Sequence, residues 1–557
     1  MDILQEQSPD ALGPATCFIS HAWRRPFADI VDAVEQFERK HPGTFYWFDL
    51  FTNNQHEAVS FPFEWWTTTF RESISSIGRV MLVMSPWNNP VPLTRAWCLF
   101  EMYSTIVGEA EMNVVIPSGE IASFKEAMSD DYDTIMNTLL SLDAQKAEAS
   151  NPKDRDQIFN VVSQKIPGGF ATLNNKVKGH LRESYLHRCV EIAEDAEDGD
   201  LLLNIGAALH TFGDHDKALE LLERCLEIYR HAGKENHPNA ASTYNNMGLV
   251  YDSKSDYDKA LEYYGKSLAI MLATLGENHP TTAKTYNNMG SVFYSKRDYE
   301  KALEYYGKSL AIYLATLGEN HPSIADTYMN LGSTYNSKAE CDKALEYYGK
   351  SLAIKLATLG ENHPDTGMTY MNMGNVYNIK GDYDKALEYL GKSLAIKLAT
   401  VGENHPSTAD TYNNMGSTYD SKGDYDKALE YYGKSLAITL ATLGENHPST
   451  ADTYSSMGIV YNSKGDYDKA LEYYGKSLAI KLATLGENHP DTAANYNNMG
   501  LVYDSKGDKD KALEYYGKSL AIYLATLGGV FDVQRKKILK ERKCSCEENN
   551  YRSKMAF

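Results

Sequence analysis

The 557-residue chain is poor in cysteine: Cys17, Cys98, Cys189, Cys225, Cys341, Cys544 and Cys546 are all it has. Neither a disulfide framework nor a zinc-ligand spacing can be assembled from them, which points to a reducing compartment. Long apolar runs are absent as well, and the mean hydropathy is −0.46, so no transmembrane helix is expected. The opening MDILQEQSPDALGP carries acids where a secretory signal needs a basic and then an apolar stretch. A soluble, cytoplasmic protein without a membrane partner is the expectation. Tryptophan is scarce, and all six lie before residue 98, so the chain changes texture along its length.

Positive charge is also in deficit, with 55 Lys and Arg against 75 Asp and Glu, a net of −20. One stretch shows where the acidity sits. Residues 407–448 hold six acids (Asp410, Asp420, Asp424, Asp426, Glu430, Glu445) and three bases (Lys422, Lys427, Lys434). A surface of this sign repels phosphate backbones, which are bound through Lys and Arg with counterion release, so nucleic acid is not an expected partner.

What the chain has in abundance is repetition. ENHP ends at Pro238, Pro280, Pro322, Pro364, Pro406, Pro448 and Pro490, always 42 residues apart. Gly206, Gly248, Gly290, Gly332, Gly374, Gly416, Gly458 and Gly500 keep the same interval and add a divergent unit in front, making eight. Within one unit Tyr286, Met289, Gly290 and Phe293 fall on one helical stripe, entered through a proline at the first helical position. After the break SKRD, Ala302, Leu303, Tyr306, Leu310, Leu314 and Leu317 form a second stripe that Gly318 stops. Each unit reads as an antiparallel helix pair. The small residues Gly290, Ala302 and Ser309 mark where two backbones are expected to approach closely. No pair buries its stripe alone, so stacking is expected to give a continuous core and a right-handed superhelix whose concave face is lined by the first helices.

The pattern resembles the tetratricopeptide family, with Tyr244, Met247, Gly248, Tyr251, Ala260, Tyr264 and Ser267 at its large and small core positions. The usual unit is about 34 residues; the longer unit ending in LGENHP is similar to the repeats of kinesin light chains and related scaffolds. The resemblance covers residues 198–528 and implies a concave groove that binds extended peptides. The matching groove positions hold Asn245, Asn246, Asn287, Asn288, Asn330, Asn372, Asn413, Asn414, Asn497 and Asn498. An amide offers donor and acceptor together, so a ladder of them suits the main chain of an extended peptide; the alternative is a row of merely solvated polar positions. The basic set with which other tetratricopeptide domains clamp a terminal carboxylate is missing, Lys284 excepted. The seven histidines of the ENHP turns lie on hairpins stacked roughly 8 to 10 Å apart, too far to share a metal ion with bonds of about 2 Å, so they are read as turn and helix-start residues.

Residues 14–120 alternate strand and helix: strands at 16–20, 45–50, 80–85 and 112–116, helices at 27–40, 63–77 and 93–107. Alternation predicts a parallel α/β sheet of flavodoxin-like type with its functional loops at the carboxyl ends of the strands. Phe18-Ile19-Ser20-His21, Trp47-Phe48-Asp49, Ser85-Pro86 and Trp97-Cys98-Leu99-Phe100-Glu101 together resemble a Toll/interleukin-1 receptor (TIR) domain. In members of that family that cleave NAD the glutamate of the last segment is catalytic, which implies Glu101 here, with Ser20, His21, Trp23 and Cys98 lining the nicotinamide side and NAD as substrate. A carboxylate near the ribose stabilises an oxocarbenium-like state. Other TIR domains are adaptors that self-associate and catalyse nothing, and the alternative reading of Glu101 is an ordinary exposed helix residue.

Residues 121–197 read as a helical connector without sustained heptads, although a kinesin light chain needs a coiled coil to hold its heavy chain. Residues 529–557 form a basic tail, with six bases and one acid between Arg535 and Lys543, read as a cap followed by a disordered end or as a lipidated contact through Cys544 and Cys546. The leading expectation is an intracellular scaffold or adaptor that grips extended peptides of partner proteins and signals or assembles through the TIR-like domain. The alternatives are an NAD-cleaving hydrolase regulated by its array and a kinesin cargo adaptor. No metal is expected.

Overall fold

The computed structural model describes residues 14–20, 26–47, 63–86, 91–130, 144–149, 152–165, 169–194 and 196–525. It divides into two compact units, Met1–Asn330 and Leu331–Phe557.

The first unit opens with β1 (Cys17–Ser20), α1 (Phe27–Lys40), β2 (Tyr46–Trp47), α2 (Phe63–Ile77), β3 (Arg79–Val83), α3 (Ala96–Val107) and β4 (Glu111–Val115). The four strands pair in parallel in the order β2-β1-β3-β4. Of the expected second strand, Tyr46–Trp47 is strand and residues 48–50 lie outside the described residues, and α3 starts at Ala96 rather than residue 93 because Val91–Thr94 forms a separate 3-10 turn. Side chains alternate across the sheet as the strand period of two requires. Cys17, Ile19, Met81 and Val83 pack with Ile30, Ala33 and Phe37 of α1, while Phe18 and Val80 pack with Ile74 of α2 and Trp97 of α3.

The connector is not a loose tether. After α4 (Ser118–Asp130) come α5 (Pro152–Lys165) and α6 (Gly169–Glu194), and one apolar core runs from Leu82 and Leu99 through Phe124, Val162, Leu181 and Tyr185 to Leu202, Leu222 and Val250 of the first hairpins. Polar contacts fix the same joint. Arg224 donates to the carbonyls of Ala193 and Ala196 at the end of α6, and Asn204 donates to the carbonyl of Met128.

Hairpins follow: Gly199–Thr211 with His215–His231, Pro238–Ser253 with Tyr257–Thr274, and Pro280–Ser295 with Tyr299–Leu317; Pro322–Ser337 carries the boundary between the units. The second unit continues with Cys341–Thr358, Pro364–Ile379 with Tyr383–Thr400, Pro406–Lys422 with Tyr425–Thr442, Pro448–Ser463 with Tyr467–Thr484, and Pro490–Ser505 with 509–525.

The turn histidines start these helices by a specific bond. Nδ1 of His237, His279, His321, His363, His405, His447 and His489 each accepts the backbone N–H two residues on at 3.1–3.2 Å, with proline between. The second helices are mostly capped by aspartate, as where Asp256 accepts from the N–H of Lys259 at 3.3 Å. The repeat glycine also has a use the sequence did not show. A Cβ on Gly290 would stand 2.7 Å from the ring of Tyr306, so the glycine is a slot for the partner helix's aromatic ring. Gly416 and Tyr432, and Gly458 and Tyr474, repeat the fit. At Gly374, which faces Leu390 instead, a Cβ would also stand 3.1 Å from the carbonyl of Ala386, the close backbone approach expected. Successive hairpins are sealed by clusters such as Ala470, Tyr474, Met499 and Val502, and on the surface by pairs such as Lys422 to Asp384 at 2.6 Å.

Candidate functional site

Two groups of residues were singled out by the sequence, and they lie in different parts of the fold. The first sits at the carboxyl end of β1, beside β3 where the strand order reverses. Crevices in open parallel sheets form at that reversal. Ser20 ends β1 and points, like Phe18, to the face covered by α3. From α3 the side chain of Glu101 reaches it, and the Ser20 hydroxyl donates to Glu101 Oε2 at 2.6 Å. Ser20 is 1% exposed and Glu101 9%. An ordinary exposed helix glutamate is therefore excluded. Cys98, one turn earlier on α3, is buried in the apolar core. His21 and Trp23 lie outside the described residues.

The sequence reading missed a second polar knot at the neighbouring strand end. The hydroxyl of Ser85, buried just beyond β3, lies within hydrogen-bond distance of the carboxylates of both Asp29 of α1 and Glu120 of α4, between which its single proton is shared. Only the placement of Ser85 at a strand terminus hinted at it; the two carboxylates come from helices 56 and 35 positions away. A cavity of about 580 Å³ lies elsewhere, between α1, β4 and α6. Lys40 and Arg188 both bind Glu191 at its edge, and their hydrogen bonds and charges outweigh the burial that raises the Glu191 pKa, leaving it below the usual range. Neither Ser20 nor Glu101 lines this cavity.

The second group is the asparagine set on the first helices of the hairpins. In the first unit the amides bind one another across successive hairpins. Asn288 Nδ2 donates to Asn245 Oδ1 at 3.1 Å, and Asn330 Nδ2 donates to Asn287 Oδ1 at 3.2 Å. Asn245 is only 6% exposed. Each of these four residues ties its hairpin to the next through one hydrogen bond. Asn246 stands outside the pairs.

In the second unit the ladder is open. The residues that would accept from Asn372 and Asn414 by the same spacing are Met329 and Met371 in sequence, and methionine offers no amide oxygen. Asn372, Asn414, Asn497 and Asn498 make no hydrogen bond through their side chains among the described residues, and Asn413 Oδ1 is buried without a partner. Buried polar atoms are ordinarily satisfied, so an orphan acceptor calls for an explanation. Lysines occupy a neighbouring variable position: Lys397 is 8% exposed, with Nζ donating to the carbonyl of Ser407 at 2.7 Å and to Thr411 Oγ1 at 2.9 Å. Burial lowers its pKa.

Comparison with known sequences and structures bears on the repeats. A sequence model described as tetratricopeptide repeat matches residues 197–273, 254–315, 281–357, 323–399, 365–441, 421–483 and 449–525, together more than half of the chain. No curated protein matches it. Among solved structures, BtubC (BKLC) of P. vanneervenii is similar at 22% identity over 44% of this chain and 92% of its own, with a TM-score of 0.34. A kinesin-light-chain candidate of Podosopora anserina with nearly identical TPR-like repeats matches at 26% over 37% and 98%, TM-score 0.33. The apo form of the quorum sensor NprR from B. thuringiensis matches at 14% over 72% and 99%, TM-score 0.46.

Proposed function

The chain belongs to the tetratricopeptide repeat family, and on that premise we propose that it is a scaffold or adaptor whose array grips extended segments of partner proteins. The observation that carries this reading is the open amide ladder of the second unit, where Asn372, Asn413 and Asn414 keep unused donors or acceptors. A peptide main chain supplies both complements, and its alternating side chains then fall against the variable positions of the same helices. The test replaces Asn372, Asn413 and Asn414 together by alanine in the full chain and compares captured proteins with wild type. Selective loss of the captured set supports the groove, and an unchanged set counts against it.

A second reading concerns the N-terminal domain, and the buried Ser20–Glu101 bond favours it. The domain is TIR-like and Glu101 takes part in hydrolysis of the nicotinamide–ribose bond of NAD. The glutamate carboxylate supplies negative charge to a ribose developing positive charge, and low exposure strengthens that interaction. Ser20 holds the carboxylate in place. Nicotinamide release by the purified protein, absent in a Glu101→Gln variant of unchanged stability, is the expected outcome; equal release by both proteins, or none, rejects it.

A further inference from the structure

Seven near-identical hairpins make the array its own control, because a position that changes while its surroundings do not has been released from the demands of folding. The second helices run ALEYYGKSLAI almost without variation. Change concentrates on one face of the first helices and at the second-helix position of Lys397. Four residues after Asn413 and three after Asn414, so on the same helical face, stands Ser417; the corresponding residues are Leu249, Ser291, Ser333, Asn375, Ile459 and Leu501. In the second unit this column therefore passes from polar (Asn375, Ser417) to aliphatic (Ile459, Leu501) in consecutive hairpins.

The aliphatic pair is not core. Ile459 is 43% exposed and Leu501 46%, while Met457, Val460, Met499 and Val502 around them do the packing. Helices Pro406–Lys422, Pro448–Ser463 and Pro490–Ser505 touch in succession, which sets the open amides and the aliphatic pair along one surface. On that surface Asp410 and Asp452 are exposed one turn before the amide positions. Asp452 also lies 3.2 Å from Lys481, yet remains 69% exposed.

Resting on the groove reading above, we infer that residues 364–505 bind one class of ligand: an extended, net-basic peptide with a bulky apolar side chain. Its main chain pairs with Asn372, Asn413 and Asn414, the apolar side chain covers Ile459 and Leu501, and its basic residues face Asp410 and Asp452. The first unit is left out of this site because Asn245, Asn287, Asn288 and Asn330 already tie its hairpins to one another. Exposed aliphatic residues beside unsatisfied amides give the pairing of directional and apolar contacts by which extended peptides are recognised.

The experiment selects a phage-displayed library of random dodecapeptides on the full chain, on an Ile459→Ser, Leu501→Ser variant and on an Asn372→Ala, Asn413→Ala, Asn414→Ala variant. Serine already fills the equivalent position at Ser291, Ser333 and Ser417, so the first variant keeps a residue the hairpin accepts. Wild type is expected to enrich peptides with a bulky apolar residue near Lys or Arg. The serine variant should lose that apolar preference and bind a wild-type-selected peptide about tenfold more weakly. An identical consensus from wild type and serine variant, or wild-type peptides without a bulky apolar residue, overturns the inference while leaving the groove reading intact. Peptides that bind the alanine variant as well as wild type, or no enrichment at all, overturn the groove reading and the inference with it.

Discussion

Ser20 and Glu101, 81 positions apart, are joined by a 2.6 Å hydrogen bond in which both partners are buried. Removing the serine hydroxyl takes one hydrogen-bond donor from a desolvated glutamate. Ser20→Ala is expected to destabilise the α/β domain by about 1–3 kcal/mol, and Glu101→Gln, whose amide oxygen still accepts from Ser20, by less. Urea unfolding followed by tryptophan fluorescence reports on this domain selectively, since every tryptophan precedes residue 98. A neutral Ser20→Ala would show that the bond supports nothing.

The repeat array contains two kinds of helical glycine with opposite expected responses to alanine. Gly290 holds the Tyr306 ring, whereas a Cβ on Gly307 of the partner helix meets nothing within 4 Å. Gly290→Ala should cost about 1–3 kcal/mol through overpacking. Gly307→Ala should gain up to about 1 kcal/mol from helix propensity. Thermal melting followed by far-UV circular dichroism separates the two signs.

The turn between the helices of a hairpin needs one residue in the left-handed region. Gly381, Gly423, Gly465 and Gly507 supply it in the later hairpins at φ of 78° to 84°, but Ser255, Arg297 and Ala339 are forced there at 58° to 60°. A Cβ in that conformation costs roughly 1–2 kcal/mol. Ala339→Gly is therefore expected to raise the melting temperature despite the greater entropy of an unfolded glycine, and Gly423→Ala to lower it.

His405 accepts the Ser407 N–H through Nδ1, which requires that nitrogen to be unprotonated. Burial, then the charge of Lys397, lowers its pKa, with Asp410 opposing. Because the folded value lies below the unfolded one of about 6.5, the unfolded chain takes up the proton first. The cap's contribution is complete above about pH 6.5 and is lost as pH falls toward the folded value. His405→Asn keeps a cap without a titrating ring, so its melting temperature should fall less than wild type between about pH 7.5 and 5.5. Parallel curves would remove His405 as a source of acid sensitivity.

The two amide settings separate stability from binding. Asn288→Ala leaves Asn245 Oδ1 without its donor inside the first unit and should cost about 1 kcal/mol of stability. Asn414→Ala breaks no side-chain hydrogen bond among the described residues, so its unfolding free energy should match wild type within about 0.5 kcal/mol while peptide binding weakens.

The sequence by itself determined the parts that repeat or alternate. A 42-residue period with proline at each helix start dictates helical hairpins, and strand–helix alternation dictated a parallel sheet, because both patterns follow from the local periods of helix and strand. It also brought Glu101 and the asparagines to notice as residue types. Only the tertiary structure decided what each one touches. Glu101 met Ser20 through the crossing of α3 over the sheet, Gly290 proved to be a slot for a ring sixteen residues away, and the asparagines divided into tied pairs and open amides. The reason is physical: hydrogen-bond geometry and close packing depend on atoms brought together from distant positions, over separations of 16 to 81 residues that carry no local signal.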